Sequence, residues 1–185
     1  MKRIFAILCL AVILSGCSGN NDELDKAMTL RAKMIAAEIS FDAKVTADYG
    51  DKSYTFTLEC KADTQGDMTF AVKDPASIAG IQGKISVTGG KLIFDDTALA
   101  FELMADGQIS PISAPWLLIK TLRSGYLTSC CREGELLRLS IDDSYEDDAL
   151  HLDIWLAGDD TPTTAEIYWQ GRRLLTVQVE NFHIM

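Results

Sequence analysis

From Ser40 to Tyr49 apolar and polar side chains alternate without a break: Phe41, Ala43, Val45, Ala47 and Tyr49 against Ser40, Asp42, Lys44, Thr46 and Asp48. A period of two puts the two sets on opposite faces of an extended chain, and a strand with one apolar face needs neighbours and a cover. The pattern recurs after Gly50-Asp51 in Tyr54, Phe56, Leu58, Cys60 and Ala62, and again in Met68, Phe70 and Val72. Gly89-Gly90 between Ile85–Thr88 and Leu92–Phe94 reads as a hairpin turn, and a weaker strand covers Ala98 to Leu103. Further strands fall around Leu136–Ile141, Leu150–Leu156, Thr164–Trp169 and Leu174–Phe182.

Two stretches depart from this period. Asp22 to Ile39 has helical spacing, with Leu24, Met28, Ile35 and Ile39 near one face. The second is Trp116–Arg123, introduced by Pro111 and Pro115, with Ser113 as its N-cap, Gly125 as its stop and Trp116, Ile119 and Leu122 as its buried stripe. The chain therefore reads as α+β: a large curled antiparallel sheet of about 9–11 strands, with these two helices to cover its apolar face. No repeat or linker divides it, so residues 22–185 form one domain.

The N-terminus follows other rules. Lys2 and Arg3 precede an apolar run from Ile4 to Leu14, followed by Ser15, Gly16 and Cys17. Eleven apolar residues are about half of what a bilayer core needs, but they suit the h-region of an export signal. Leu14-Ser15-Gly16-Cys17 resembles the lipobox of bacterial lipoproteins. The resemblance implies a signal peptide over 1–16, lipidation of Cys17 with acyl chains such as palmitate, and a flexible tether over 17–21. The expected location is the extracytoplasmic face of the cell membrane, or the outer membrane where the cell has one.

Composition narrows the function. The precursor carries a net charge of −10, and losing Lys2 and Arg3 with the signal leaves −12 on residues 17–185. Nucleic acid, which is bound by neutralising phosphates, is excluded as a partner. Disorder is excluded by an apolar content of 48%.

The order of segments carries a second resemblance. The N-terminal helix leads into strand pairs with Gly66-Asp67-Met68-Thr69-Phe70 running to Lys73-Asp74-Pro75. Then come Gly90-Lys91-Leu92-Ile93-Phe94-Asp95, the helix at Trp116–Arg123, and a close through Pro162–Ile167 and Val177–Phe182. This order resembles the LolA/LolB superfamily of lipoprotein carriers and acceptors, over roughly Glu38 to Phe182. The resemblance implies an unclosed eleven-stranded half-barrel, lidded by two or three helices, whose concave apolar face takes lipid or lipoprotein acyl chains, in an acceptor or chaperone role, with Ile78-Ala79-Gly80-Ile81 standing where an acceptor's apolar loop protrudes. A germination-associated lipoprotein of spore formers is similar in outline, and implies the alternative of a protein that binds and supports an envelope enzyme such as a cell-wall amidase.

From the alternation, the residues that line such a cavity are Phe41, Val45, Tyr54, Phe56, Leu58, Phe70, Val72 and Phe94, with Trp116 and Ile119 from the helix. The same residues equally suit a dry core. Catalytic, cofactor and metal residues are not assigned. Histidines number 2, of which His151 stands on the polar phase beside Asp153 and His183 at a fraying end. Asp142–Asp148 crowds five acids into a hairpin tip without the spacing of a calcium loop. Cys60, Cys130 and Cys131 remain after export; Cys60 is read as a buried thiol that could pair with one of the others.

Overall fold

The computed structural model describes residues 21–50, 52–94, 97–102, 104–105 and 108–185. The expected signal over 1–16, Cys17 and the tether residues Ser18–Asn20 lie outside the described residues.

Helix α1 spans Asn21–Ile35 and ends earlier than its apolar spacing predicts. Ile39 is instead the first residue of strand β1 (Ile39–Asp48), fully buried and in phase with Phe41, Ala43 and Val45. The packed face also differs. Ala27, Leu30 and Met34 are buried, at spacings of three and four, whereas Leu24, Met28 and Ile35 remain exposed. The rotation is held by polar contacts: the Arg31 Nε donates to the Leu122 carbonyl at 2.9 Å, and Glu23 faces Arg132 at 3.5 Å.

After β1 come β2 (Ser53–Ala62), β3 (Met68–Asp74), β4 (Gln82–Ser86), β5 (Gly89–Phe94) and β6 (Thr97–Phe101), each antiparallel to its predecessor. A two-stranded crossing, β7 (Met104–Ala105) with β8 (Gln108–Ile109), leads to a 3-10 turn at Pro111–Ser113 and helix α2 (Ala114–Ser124). Then β9 (Tyr126–Glu133), β10 (Leu136–Asp142), β11 (Leu150–Leu156), β12 (Pro162–Trp169) and β13 (Arg172–Ile184) form a second meander. The last strand returns to pair with the first, from Ile39 opposite Ile184 to Ala47 opposite Leu175. The result is one 11-stranded sheet in the order β6-β5-β4-β3-β2-β1-β13-β12-β11-β10-β9, unclosed, with edges at β6 and β9. This is the α+β half-barrel expected from the sequence.

Three local expectations are corrected. Ser113 is not a side-chain cap: the preceding 3-10 turn holds it in helical geometry, and its hydroxyl donates to the Ser110 carbonyl at 2.6 Å. His183 does not fray, because β13 runs past it and pairs it with Ser40. Gly89 and Gly90 are not the hairpin turn either. Ser86 pairs with Gly89, so Val87 and Thr88 make the turn, and the glycines enter β5.

Their use inside the strand explains the choice of residue. Gly90 lies opposite Phe101 and Gly83 opposite Phe70. A Cβ on Gly90 would meet the Phe101 ring at 2.1 Å, and one on Gly83 would meet the Phe70 ring at 2.4 Å and the Lys91 carbonyl at 2.6 Å. Each ring thus lies over the bare backbone of the neighbouring strand, which fills the inner face at this corner without a second side chain.

Helix α2 is buried almost all round, from Ala114 to Ile119 and at Thr121 and Leu122. It lies against the inner face of the sheet, with Trp116 Nε1 donating to the Gly66 carbonyl at 2.9 Å. Coverage is nevertheless limited. Eleven strands at about 4.8 Å spacing make a sheet roughly 48 Å across, and the two α-helices among the described residues, each about 10 Å in diameter, cannot span it.

Replacing Gly83→Ala is expected to destabilise by about 1–3 kcal/mol through overpacking. A melting curve should show a Tm lower by about 3 °C per kcal/mol. Gly158→Ala, where nothing lies within 4 Å of the added carbon, serves as the control.

Candidate functional site

The inner face is best followed along rows that cross the strands. One row runs Phe41, Cys60, Phe70, Gly83, Leu92, Leu99, each paired with the next across the sheet. Another runs Ala43, Leu58, Val72 and Ile81, and Phe94 stands one residue beyond the Gln82–Ile93 pair that closes the next ladder. Every residue of both rows is apolar. The rows begin in the closed core, where Ala43, Leu58 and Cys60 have no exposed surface. They end at the sheet edge with Leu99 64% exposed and Phe94 61% exposed.

This places the ten expected lining residues in two groups. Phe41, Val45, Phe56, Leu58, Phe70, Val72, Trp116 and Ile119 belong to one continuous packed core under α1 and α2. Tyr54 and Phe94 do not join them; both stand largely in solvent. Tyr54 precedes the part of β2 that the helices reach, with its ring 6.4 Å from that of Tyr49, and Phe94 lies at the tip of the β5–β6 hairpin. Leu92 and Leu99 lie on the same face as Phe94, and in β6 no alternation marks that face, since Ala98-Leu99-Ala100-Phe101 is apolar throughout. Ile78 is exposed on the turn that joins β3 to β4, and its carbonyl accepts from the N–H of Ile81, a member of the second row. An open hollow of about 600 Å³ lies at the other end of these strands, by the Val87–Thr88 turn; it is lined among others by Lys84, Lys91 and Phe101 and by none of Leu92, Phe94 and Leu99.

The cover is tied down by two arginines that cap each other's helices. Arg31 of α1 donates to Leu122 near the end of α2. Arg123 of α2 donates through Nε to Met34 at 2.9 Å and through its other nitrogens to Ala37 at 2.8 Å and to Asp63 in the β2–β3 turn at 2.6 Å, all backbone carbonyls. A cation at a helix C-terminus satisfies its free carbonyls and opposes the negative end of the dipole. Burial pulls both guanidinium pKa values below the ordinary arginine value, and for Arg123 the nearby Asp63 opposes that pull. Hydropathy patterning alone assigns these two residues to solvent.

The outer face of β10–β12 carries a polar ladder. His151 Nδ1 lies 2.7 Å from Asp142 and its Nε2 3.5 Å from Asp153, while the Ser140 hydroxyl donates to Asp153 at 2.5 Å. Tyr168 donates to Glu166, which also binds Arg173. Burial, together with that Glu166 contact, raises the Tyr168 pKa to about 12. Each carboxylate here already has a protein partner. In the acidic tip, Asp143 accepts from the Leu150 N–H at 2.8 Å and faces Lys120 at 3.6 Å.

Cys60, Cys130 and Cys131 are free thiols. Five strands separate β2, which carries Cys60, from β9, which carries the other two, and Cys130 faces α1. Burial, with Asp42 and Glu59 behind it, pushes the Cys60 thiol far up; burial, Glu23 and Cys131 raise Cys130.

Neither a family model nor a curated protein matches the chain. Solved structures do. A LolA superfamily protein from Nitrosomonas europaea is 9% identical, with 86% of this chain and 93% of that one covered at a TM-score of 0.45. A putative outer membrane lipoprotein-sorting protein domain from Vibrio parahaemolyticus is 11% identical over 89% and 92%, with a TM-score of 0.47. The lipoprotein LppX of Mycobacterium tuberculosis is 11% identical over 87% and 93%, at 0.42.

Alkylation of the native protein at mild pH should modify Cys131 first and leave Cys60 intact until denaturant is added, since only an accessible thiolate reacts. Peptide mass spectrometry reads the order.

Proposed function

We propose that the chain is a membrane-anchored extracytoplasmic lipoprotein that binds an apolar chain, such as a lipid or lipoprotein acyl group, along the inner face of its half-barrel. The observation that carries this reading is the pair of apolar rows that leave the core, pass the half-buried Leu92 and end uncovered at Phe94 and Leu99. A face built only to close a core ends where its cover ends. Here it extends past the cover as a shelf, and an exposed apolar surface continuous with a core is where an apolar ligand gains most by leaving water. The ligand would enter over the β5–β6 edge, beside the Ile78 turn. The packed residues Phe41, Val45, Phe56, Leu58, Phe70, Val72, Trp116 and Ile119 would form the floor behind the shelf, reached when the helices shift. Catalysis has no part in this reading.

Anchoring would come from the acyl chains on Cys17. At about 0.8 kcal/mol per buried methylene, two or three chains hold a protein permanently. That is needed, since a body of charge −12 is repelled by anionic headgroups.

Purified protein should yield lipid on organic extraction and take up a fluorescent fatty acid. The double substitution Phe94→Glu with Leu99→Glu changes two side chains already in solvent, so stability should stay within about 0.5 kcal/mol per site. Uptake should fall at least about tenfold, equivalent to roughly 1.4 kcal/mol of lost binding. Unchanged uptake would remove the shelf from the reading; no lipid and no uptake, with an envelope enzyme retained in a pull-down, would favour the interaction alternative. Separately, Cys17→Ala should leave the precursor unprocessed, seen as a larger band on a gel.

A further inference from the structure

Helix α1 has more apolar surface than the fold uses. Leu24, Met28 and Ile35 fall within an arc of about 40° at 100° per residue and extend along roughly 16 Å of axis. All three are exposed, at 42%, 49% and 52%, while the neighbouring face carrying Ala27, Leu30 and Met34 is the one buried against the domain. The stripe is no accident of rotation, because the Arg31–Leu122 bond and the Glu23–Arg132 pair hold α1 in this orientation. Lys26 and Lys33 lie some 160–180° away around the helix.

The chain that precedes α1 says what faces the stripe. Only Ser18, Gly19 and Asn20 separate Cys17 from Asn21. Four Cα steps reach at most about 14 Å, so a lipidated Cys17 brings the first turn of α1 within that distance of the headgroups. The helix also escapes the repulsion that acts on the body: Asp22, Glu23 and Asp25 are balanced by Lys26, Arg31 and Lys33. A second copy of the chain fits less well, since three half-exposed side chains fall short of the roughly 800 Å² per partner that a stable dimer buries.

We propose that α1 lies along the bilayer surface, with Leu24, Met28 and Ile35 set into the boundary between headgroups and acyl chains. The lipid on Cys17 then supplies the attachment, and the stripe fixes the orientation of the domain on the membrane, as amphipathic interfacial helices do. This inference rests on the anchoring proposed above.

The test uses the full lipidated chain reconstituted in phosphatidylcholine vesicles. In a Cys131→Ser background, Met28→Cys and Lys33→Cys each carry one environment-sensitive fluorophore, and lipids with a quencher in the upper acyl chain are added. Flotation of the vesicles is read in parallel. Quenching at position 28 is expected to exceed that at position 33 several-fold, with a blue-shifted emission, and Leu24→Cys and Ile35→Cys should behave like Met28→Cys. Equal quenching at 28 and 33, in protein that floats with the vesicles, overturns the inference while leaving the anchor in place. Protein that does not float overturns the anchoring reading, and the inference with it. Shielding of position 28 in lipid-free detergent, accompanied by cross-linked dimers, overturns it in favour of a second copy.

Discussion

The structure depends on the pairing of its first strand with its last. The sequence forms two meanders, β1 to β6 and β9 to β13, and each joins neighbours that follow one another in the chain. Neither meander alone has enough inner face to bury α2. The register from Ile39–Ile184 to Ala47–Leu175 joins them, and sets Val45 against Val177 and Ala43 against Val179 in the floor of the core. A contact between residues some 140 apart is entropically expensive to form before anything rewards it. The reward is burial of a whole helix, since α2 has so little polar circumference that it has no stable place outside the completed sheet.

The cover follows from that economy. Once α2 occupies the middle of the inner face, its C-terminal carbonyls and those of α1 meet in a region short of water. Unpaired, each would cost about 1–3 kcal/mol. Arg31 and Arg123 meet the need reciprocally, and Arg123 extends the tie to the β2–β3 turn. The same bonds that make the helices a unit also fix which face of α1 turns inward, so the exposure of Leu24, Met28 and Ile35 follows from how α2 is held.

What was legible in the sequence is what alternation encodes. β1 and β2 appear where the period of two predicts them, because β1 over its ten residues and β2 from Phe56 onward have one face in the core and one turned outward. The helix phase was harder. Both Leu24-Met28-Ile35 and Ala27-Leu30-Met34 have helical spacing, and hydrophobicity favours the first; the choice is made by polar contacts of Arg31 and Glu23 with residues about a hundred positions away. Gly89-Gly90 misleads for a related reason. Glycine signals a turn locally, but here Gly90 is required by a ring from β6. In the site, the core residues followed from the pattern. Tyr54 and Phe94 share that pattern yet lie beyond the cover, and no local signal tells where a cover stops.

The two uncovered apolar surfaces therefore have different origins, which bears on how they could work together. The shelf at Phe94 and Leu99 exists because eleven strands are wider than the two α-helices among the described residues, and it belongs to the β6 edge. The stripe on α1 exists because the helix is rotated by its polar ties, and it belongs to the end of the strand order where α1 packs on β9. With one at each end of an unclosed sheet, contact through the stripe does not occupy the shelf. A chain held at a surface by α1 keeps its apolar inner edge free for a ligand. Because Arg31 and Arg123 couple α1 to α2, a force on the helix that meets the surface is transmitted to the helix that closes the floor.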